Sequence, residues 1–145
     1  MSLDNLIGRT LEKIEPDLAA IKRLMQAARR NIADSNISEL SAESRFDIAY
    51  KAIMQLANVA LQANGYRTRT SVPGHHQTMI QSLVKTIGLD AGDMMILDAL
   101  RKQRNVADYS GDVVPESAMQ ECITQAGKLL EKVSKWLADN RPGYL

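Results

Sequence analysis

The feature that most constrains the fold is a recurrence of apolar residues at steps of three and four along most of the chain. The clearest central example is the segment from Ala42 to Asn64, which carries Phe46, Ala49, Tyr50, Ile53, Leu56, Ala57, Ala60 and Leu61. This spacing places side chains on one face of an α-helix. No segment alternates between apolar and polar residues as a half-buried strand does. The sequence therefore predicts an all-α protein with no sheet.

Apolar stripes, and the helix-breaking residues between them, divide the chain into four to five main helices. A helical turn or two is predicted before them, between Leu3 and Ile14. The first predicted helix carries an apolar stripe from Leu18 to Ile32. The four that follow extend from Ala42 to Asn64, from His75 to Ile87, from Asp90 past Ala107, and from Pro115 to Pro142. Gly65 fits the left-handed position just beyond the second main helix, and Asp90 can cap the start of the fourth. Helices joined by mostly short loops predict an up-and-down bundle.

Composition and length bound the class of protein. The 145 residues predict one domain, 1–145, and the balance of 45% hydrophobic, 24% charged and 4% aromatic residues is typical of a folded helical protein. A net charge of +1 predicts no global attraction to nucleic acid or membrane, so any basic surface is local. Without a signal-peptide pattern or an apolar run of about 20 residues, the expected location is the cytoplasm, with no membrane contact.

The single cysteine, Cys122, excludes an internal disulfide and metal sites built from several cysteines. Cys122 and Trp136 lie on the apolar stripe of the last helix, so we predict that both belong to the core, with an inert thiol. Histidines and carboxylates are not clustered at ligand spacing. The sequence therefore predicts neither a metal nor a cofactor.

The stretch LRKQRNVADYSGDVVPES holds the main candidate site residues, Arg101, Arg104, Asn105, Asp108 and Tyr109. On a helix, the first four of these line one face beside the apolar stripe. Two guanidiniums one turn apart can hold a phosphate through forked donors. The alternative is a solvated face on which Arg104 and Asp108 form an ion pair of about 0.3–0.5 kcal/mol. Spacing alone leaves both interpretations open.

The irregular stretch GYRTRTSVPGHH supplies the weaker candidates. Arg67 and Arg69 alternate with threonines and either extend a phosphate-binding surface or belong to a mobile solvated loop. Adjacent residues on a helix point about 100° apart, so His75 and His76 cannot both face one site. A cap or a packing role at the start of their helix is the favoured interpretation of the histidines.

Three segments, in order, resemble the HEPN superfamily of small helical-bundle proteins over about residues 44–136. SRFDIAYKAIMQLANVALQANGYR is similar to the second helix of that family, PGHHQTMIQSLVK to the start of its middle helix, and LRKQRNVADYSGD to its arginine motif in the form that ends in Asp-Tyr. The resemblance implies a homodimer with the arginine motifs of two subunits at one cleft. Arg104 matches the motif arginine and Asn105 its polar neighbour.

In the active branch of the family, an arginine, four to six intervening residues and a histidine cut RNA without a metal, often in a toxin–antitoxin pair with a small nucleotidyltransferase. This sequence departs from that motif. The positions at that distance from Arg104 are Tyr109, Ser110 and Gly111, and those from Arg101 are Val106, Ala107 and Asp108. A tyrosine with a pKa near 10 is a poor substitute for imidazole in proton transfer.

The expected function is therefore a non-catalytic or regulatory HEPN-like binding module that acts as a homodimer. Through Arg101, Arg104 and Asn105, it would engage a nucleotide, RNA or a nucleotidyltransferase partner. One alternative is a metal-independent RNase toxin with an altered proton-transfer group. Another is a purely structural protein–protein interaction domain.

The link after the arginine motif has a structural interpretation. We expect Asp108 to steady an arginine and Tyr109 to anchor the chain reversal at the break. Val113 and Val114 would then pack as an extended link into the last helix. On this interpretation the Asp-Tyr pair is architectural and requires no catalysis.

Overall fold

The computed structural model describes residues 3–111 and 113–145, without the side chains of residues 108 and 109. The elements in chain order are a 3-10 turn at Leu3–Leu6, β1 (Leu11–Lys13), α1 (Leu18–Ser35), α2 (Ala42–Ala63), β2 (Tyr66–Thr68), α3 (His75–Thr86), α4 (Ala91–Ser110), α5 (Glu116–Asn140) and a 3-10 turn at Pro142–Tyr144. The prediction of an all-α helical bundle is confirmed.

Helix α2 lies at the centre of the bundle. The other four α-helices all contact it, with α1 and α5 making the most extensive contacts and α4 packing chiefly on α3. The buried residues of α2 occupy most of its circumference: Phe46, Ala49, Tyr50, Ala52, Ile53, Met54, Leu56, Ala57, Val59, Ala60, Leu61 and Ala63. A helix that is apolar around most of its surface must be covered on several sides. The other helices therefore assemble around α2.

Short polar side chains fix where three helices begin. Asp17 accepts a hydrogen bond from the backbone N–H of Ala20 at 3.2 Å and caps α1, and Ser41 accepts one from Ser44 at 3.1 Å and caps α2. The predicted cap Asp90 accepts one from Gly92 at 2.9 Å at the start of α4. Each cap satisfies a donor that the first turn of a helix leaves without a partner.

The prediction that the protein has no sheet is wrong. Strands β1 and β2 pair antiparallel, with Leu11 opposite Thr68 and Lys13 opposite Tyr66. The segment from Leu3 to Ile14 is therefore helical only at Leu3–Leu6. Three residues per strand are too few to show an alternation of period two in the sequence. The strands are defined instead by pairing between distant segments, which the sequence does not display.

Gly65 makes this pairing possible. Its φ of +86° turns the chain out of α2 and directly into β2. Its carbonyl then accepts a hydrogen bond from the N–H of Ile14 at 2.9 Å, which continues the ladder of the small sheet. The predicted left-handed position at the end of the second helix is confirmed.

The link between α4 and α5 is anchored by one valine and not by two. Val114 is buried, whereas Val113 is 85% exposed, because an extended backbone directs adjacent side chains to opposite sides.

Cys122 is buried, as predicted, and burial raises the pKa of its thiol to about 12. Trp136 packs against the core but is only partly buried, and the guanidinium of Arg141 lies over its ring. None of the helices in the described residues is long and apolar enough to cross a membrane.

Substitution of Gly65 by alanine should lower the free energy of unfolding by about 1–2 kcal/mol, because a Cβ atom disfavours the left-handed conformation. The added Cβ would also lie 3.5 Å from the carbonyl oxygen of Ile14. Urea denaturation measures the change. Gly127→Ala, within α5 and with open space around the new Cβ, is the matched control and should stabilise by about 0.5–1 kcal/mol. Equal effects at the two positions would contradict this assignment.

Candidate ligand-binding cleft

A cleft of about 460 Å³ opens where α2, α3 and α4 meet. Its lining residues are Asp47, Tyr50, Lys51, Met54, Gln55, Asn58, His76, Met79 and Arg104. The volume is within the range of small-molecule sites. Methionines and a tyrosine ring supply the apolar part of the lining, and charged and carboxamide side chains supply the polar part.

The polar wall of the cleft is a stripe on α2. Asp47, Lys51, Gln55 and Asn58 follow one another at steps of four, four and three, so they share the one polar face of an otherwise buried helix. Neighbouring amides restrain two of them. Asn31 on α1 donates to Gln55 at 2.9 Å, and Gln62 donates to Asn58 at 3.0 Å. These hydrogen bonds give the wall a defined arrangement before any ligand binds.

Tyr50 forms the base of the cleft and is only 2% exposed. Its ring stacks parallel to that of Phe46, with the centroids 6.5 Å apart. Burial raises the pKa of the Tyr50 phenol to about 12, although the positive charges of Arg104 and Arg101 act in the opposite direction. The hydroxyl therefore keeps its proton at neutral pH and can both donate and accept a hydrogen bond.

His76 shares a hydrogen bond with Tyr50. Its Nδ1 lies 3.2 Å from the Tyr50 hydroxyl, and the ring of His75 makes an edge contact with its own ring at a centroid distance of 4.7 Å. Burial is the main cause that lowers the pKa of His76, followed by the charges of His75, Arg104 and Arg101. The imidazole is therefore neutral near pH 7, and its tautomer decides whether Nδ1 accepts or donates in the bond with the tyrosine.

Arg104 covers the tyrosine from the α4 side. Its guanidinium carbon lies 5.0 Å from the centroid of the Tyr50 ring, a distance typical of a cation–π contact. This contact holds the planar guanidinium of Arg104 at the cleft. Lys51 is the other cation in the cleft lining. A preorganised guanidinium loses less conformational entropy when its forked donors bind an anion. The predicted motif arginine thus belongs to the cleft.

The other predicted members of the arginine face lie elsewhere. Arg101 donates from Nε to Asp98 at 2.8 Å, with both side chains 15% exposed, so its charge is largely balanced. Asn105 is exposed and does not line the cleft. The backbones of Asp108 and Tyr109 lie in the last turn of α4, but their side chains are outside the described part of the structure. Their predicted architectural roles therefore stay predictions, as does the Arg104–Asp108 ion pair.

Of the two weaker arginine candidates, Arg67 lies in the small sheet and Arg69 directly follows it. Arg67, in β2, forms an ion pair with Glu12 of β1, directly opposite it in the ladder. Arg69 donates to the backbone carbonyl of Gly8, and its own N–H donates to the carbonyl of Thr10 at 2.9 Å. Both guanidiniums fasten the N-terminal segment to the chain after α2, and neither lines the cleft.

The two histidines face different surroundings, as their spacing predicted. His76 lines the cleft and His75 does not. Of the two roles expected for the histidines, a cap or packing, the structure supports packing: the N-cap residue is Gly74 without a side-chain cap, and the ring of His76 packs against those of Tyr50 and His75. Sequence reasoning missed the role of Tyr50, which it placed only on the apolar stripe. It also missed the polar stripe on α2, although the four-residue steps of Asp47, Lys51 and Gln55 were a usable signal.

Among the described residues, no group of three or more histidine, cysteine or carboxylate side chains could hold a metal ion. No protein-family model matches this chain, and a search of curated proteins finds no significant match.

Proposed function

We propose that the protein is a non-catalytic or regulatory HEPN-like binding module that holds a phosphate-bearing ligand, an RNA or a nucleotide, in the cleft between α2, α3 and α4. The observation that carries this proposal is the position of Arg104 over Tyr50, in a cleft that the exposed Lys51 also lines. Two cations at one cleft favour an anionic ligand. The resemblance to the HEPN family, in which this arginine belongs to the motif, points in the same direction.

The remaining lining suits the rest of such a ligand. Met54 and Met79 supply apolar, polarizable contacts for a base or a ribose, and Gln55 and Asn58 supply amide groups for hydrogen bonds. A mixture of an apolar base, oriented amides and a few cations is typical of sites for small polar ligands. The partly paired Arg101 would contribute long-range positive potential and not a direct contact.

A second function is favoured by one observation, the presence of His76 in the same cleft as Arg104. A neutral imidazole can remove the proton from a ribose 2′-hydroxyl, and a guanidinium can stabilise the charge that develops on the attacked phosphate. The cleft could then support metal-independent RNA cleavage with a histidine from α3 and none from the arginine motif. The pairing with a tyrosine that remains protonated gives His76 no carboxylate to orient it, so we rank this function second.

The homodimer is part of the proposal. Met95 is 66% exposed and Val106 is 56% exposed on α4. They lie eleven residues apart, which is three helical turns, and therefore on the same face. Helix α4 is also the helix with the least contact to the centre of the bundle. These two exposed apolar side chains, with Lys102 between them on the same face, support the use of α4 as a contact between two copies.

Substitution of Arg104 by alanine should weaken the binding of a single-stranded oligoribonucleotide by about 10- to 100-fold, because a charge-assisted hydrogen bond contributes about 1.5–3 kcal/mol. Fluorescence anisotropy at fixed salt measures the dissociation constant. Arg29→Ala, on the exposed side of α1, removes the same charge away from the cleft and should change affinity by less than about twofold. Equal losses in the two variants would show non-specific attraction and contradict the proposed site.

Metal-free protein, treated with a chelator and incubated with single-stranded RNA, should leave the RNA intact if the binding function is correct. Electrophoresis of the RNA measures the outcome beside matched samples of Arg104→Ala and His76→Gln. Cleavage that disappears in both variants would replace the binding function by the RNase function. Cleavage that persists in both would come from a source outside this cleft.

Introduction of a charge on the exposed face of α4, as Val106→Glu, should convert a dimer into a monomer, because a carboxylate cannot be buried at an apolar contact without a partner. Sedimentation equilibrium measures the mass of the wild type and the variant. Lys22→Glu, on the exposed side of α1, is the control for an added negative charge and should stay dimeric. A monomeric wild-type protein would contradict the homodimer.

A further inference from the structure

His76 lines the same cleft as the positively charged side chains of Lys51 and Arg104. The titratable and charged groups around it come from three helices: Asp47, Tyr50 and Lys51 on α2, His75 on α3, and Arg101 and Arg104 on α4. Lys51 and Arg104 are the cations of the lining, Asp47 is its one carboxylate, and the charge of Arg101 is largely balanced by Asp98. Protonation of His76 in the unliganded cleft adds a further positive charge to this lining.

The hydrogen bond with Tyr50 acts in the same direction. The phenol keeps its proton and can donate to Nδ1 of His76, 3.2 Å away, when the imidazole is neutral, whereas an imidazolium carries a proton on both nitrogens and can only donate. Protonation at Nδ1 would require the tyrosine oxygen to become the acceptor and its own proton to find another partner. Tyr50 is only 2% exposed, so few partners can reach that proton. The empty cleft thus favours neutral His76.

A phosphate-bearing ligand reverses this balance. Its negative charge would lie beside Arg104 and Lys51 and therefore close to His76 on the opposite wall. An anion within a few ångströms stabilises the imidazolium and offsets the repulsion from the neighbouring cations. The protonated ring also gains a charge-assisted hydrogen bond that neutral His76 cannot offer in the same form.

We infer that ligand binding in this cleft is coupled to the uptake of one proton by His76, which makes the protein a pH-dependent anion receptor. The inference rests on the proposed function, because it concerns the same ligand and the same cleft. It adds that Tyr50 acts as a positioning residue, holding the histidine neutral and oriented until an anion arrives.

The direction of the pH dependence follows from linkage. The pKa of His76 is lowered in the free protein and would rise when an anion binds. Between the two pKa values, the complex holds one more proton than the free components, so affinity increases as pH falls. The dissociation constant should change by at most about tenfold per pH unit, since one proton is linked. Outside that interval the affinity should be constant.

An unphosphorylated oligouridylate is a suitable probe, because neither its phosphodiesters nor its uracil bases change charge between about pH 5 and pH 8, the interval in which histidines titrate. Fluorescence anisotropy at constant ionic strength gives the dissociation constant of the full-length protein at each pH. The wild-type protein should bind more tightly as pH falls. His76→Gln keeps a polar side chain of similar size and should bind with an affinity that no longer depends on pH.

His75→Gln and Tyr50→Phe complete the design. His75 lies outside the cleft lining, so His75→Gln should keep the pH dependence of the wild type. Tyr50→Phe retains the ring that Arg104 covers but removes the hydroxyl, and should therefore move the pH dependence to higher pH. The protein has two histidines, so NMR of the ring protons assigns His76 directly by comparison with the variants. Its pKa should rise when oligouridylate is added.

The outcomes are distinguishable. Failure of the wild type to bind oligouridylate at any pH would overturn the proposed function, and the inference with it. Binding that retains its pH dependence in His76→Gln, or an NMR titration of His76 that is unchanged by the probe, would overturn the inference alone. Loss of the pH dependence in His76→Gln together with its shift in Tyr50→Phe would establish the proton coupling.

Discussion

The burial of α2 is the constraint on which the rest of the structure depends. Its apolar residues occupy most of the helix surface, and each fully buried large side chain contributes about 1.5–3 kcal/mol relative to exposure. Such a helix cannot stand at the edge of a protein. Helices α1 and α5 cover two sides of α2, and α3 covers a third. Helix α4 packs chiefly on α3.

This arrangement leaves one strip of α2 in contact with water. The strip runs from Asp47 to Asn58. Side chains near the start of α3 and Arg104 of α4 enclose it as a cleft. The same packing buries Tyr50 below the strip, raises the pKa of its phenol and places its hydroxyl 3.2 Å from Nδ1 of His76. The electrostatics of the cleft are thus a consequence of core packing, since the tyrosine that shares a hydrogen bond with the histidine belongs to the core helix.

Local signals allowed much of the fold to be predicted. The helical stripes, the cap at Asp90 and the left-handed Gly65 are decided by residues close together in the chain, where steric limits and capping hydrogen bonds act. Strands β1 and β2 could not be predicted in this way, because their three-residue ladder depends on contact between segments more than fifty residues apart. The position of Arg67 and Arg69 in the sheet follows from the same pairing and was missed for the same reason.

The sequence was sufficient to predict the helical class, the approximate ends of the helices and the place of Arg104 on a helix, because periodicity and capping are local properties. It also determined that His75 and His76 would diverge, since adjacent helical residues point in different directions. Only the tertiary structure decided that His76 meets Tyr50 and Arg104, residues that lie on three different helices. Such a meeting depends on how the helices pack around α2, and packing is a property of the whole core and not of any segment.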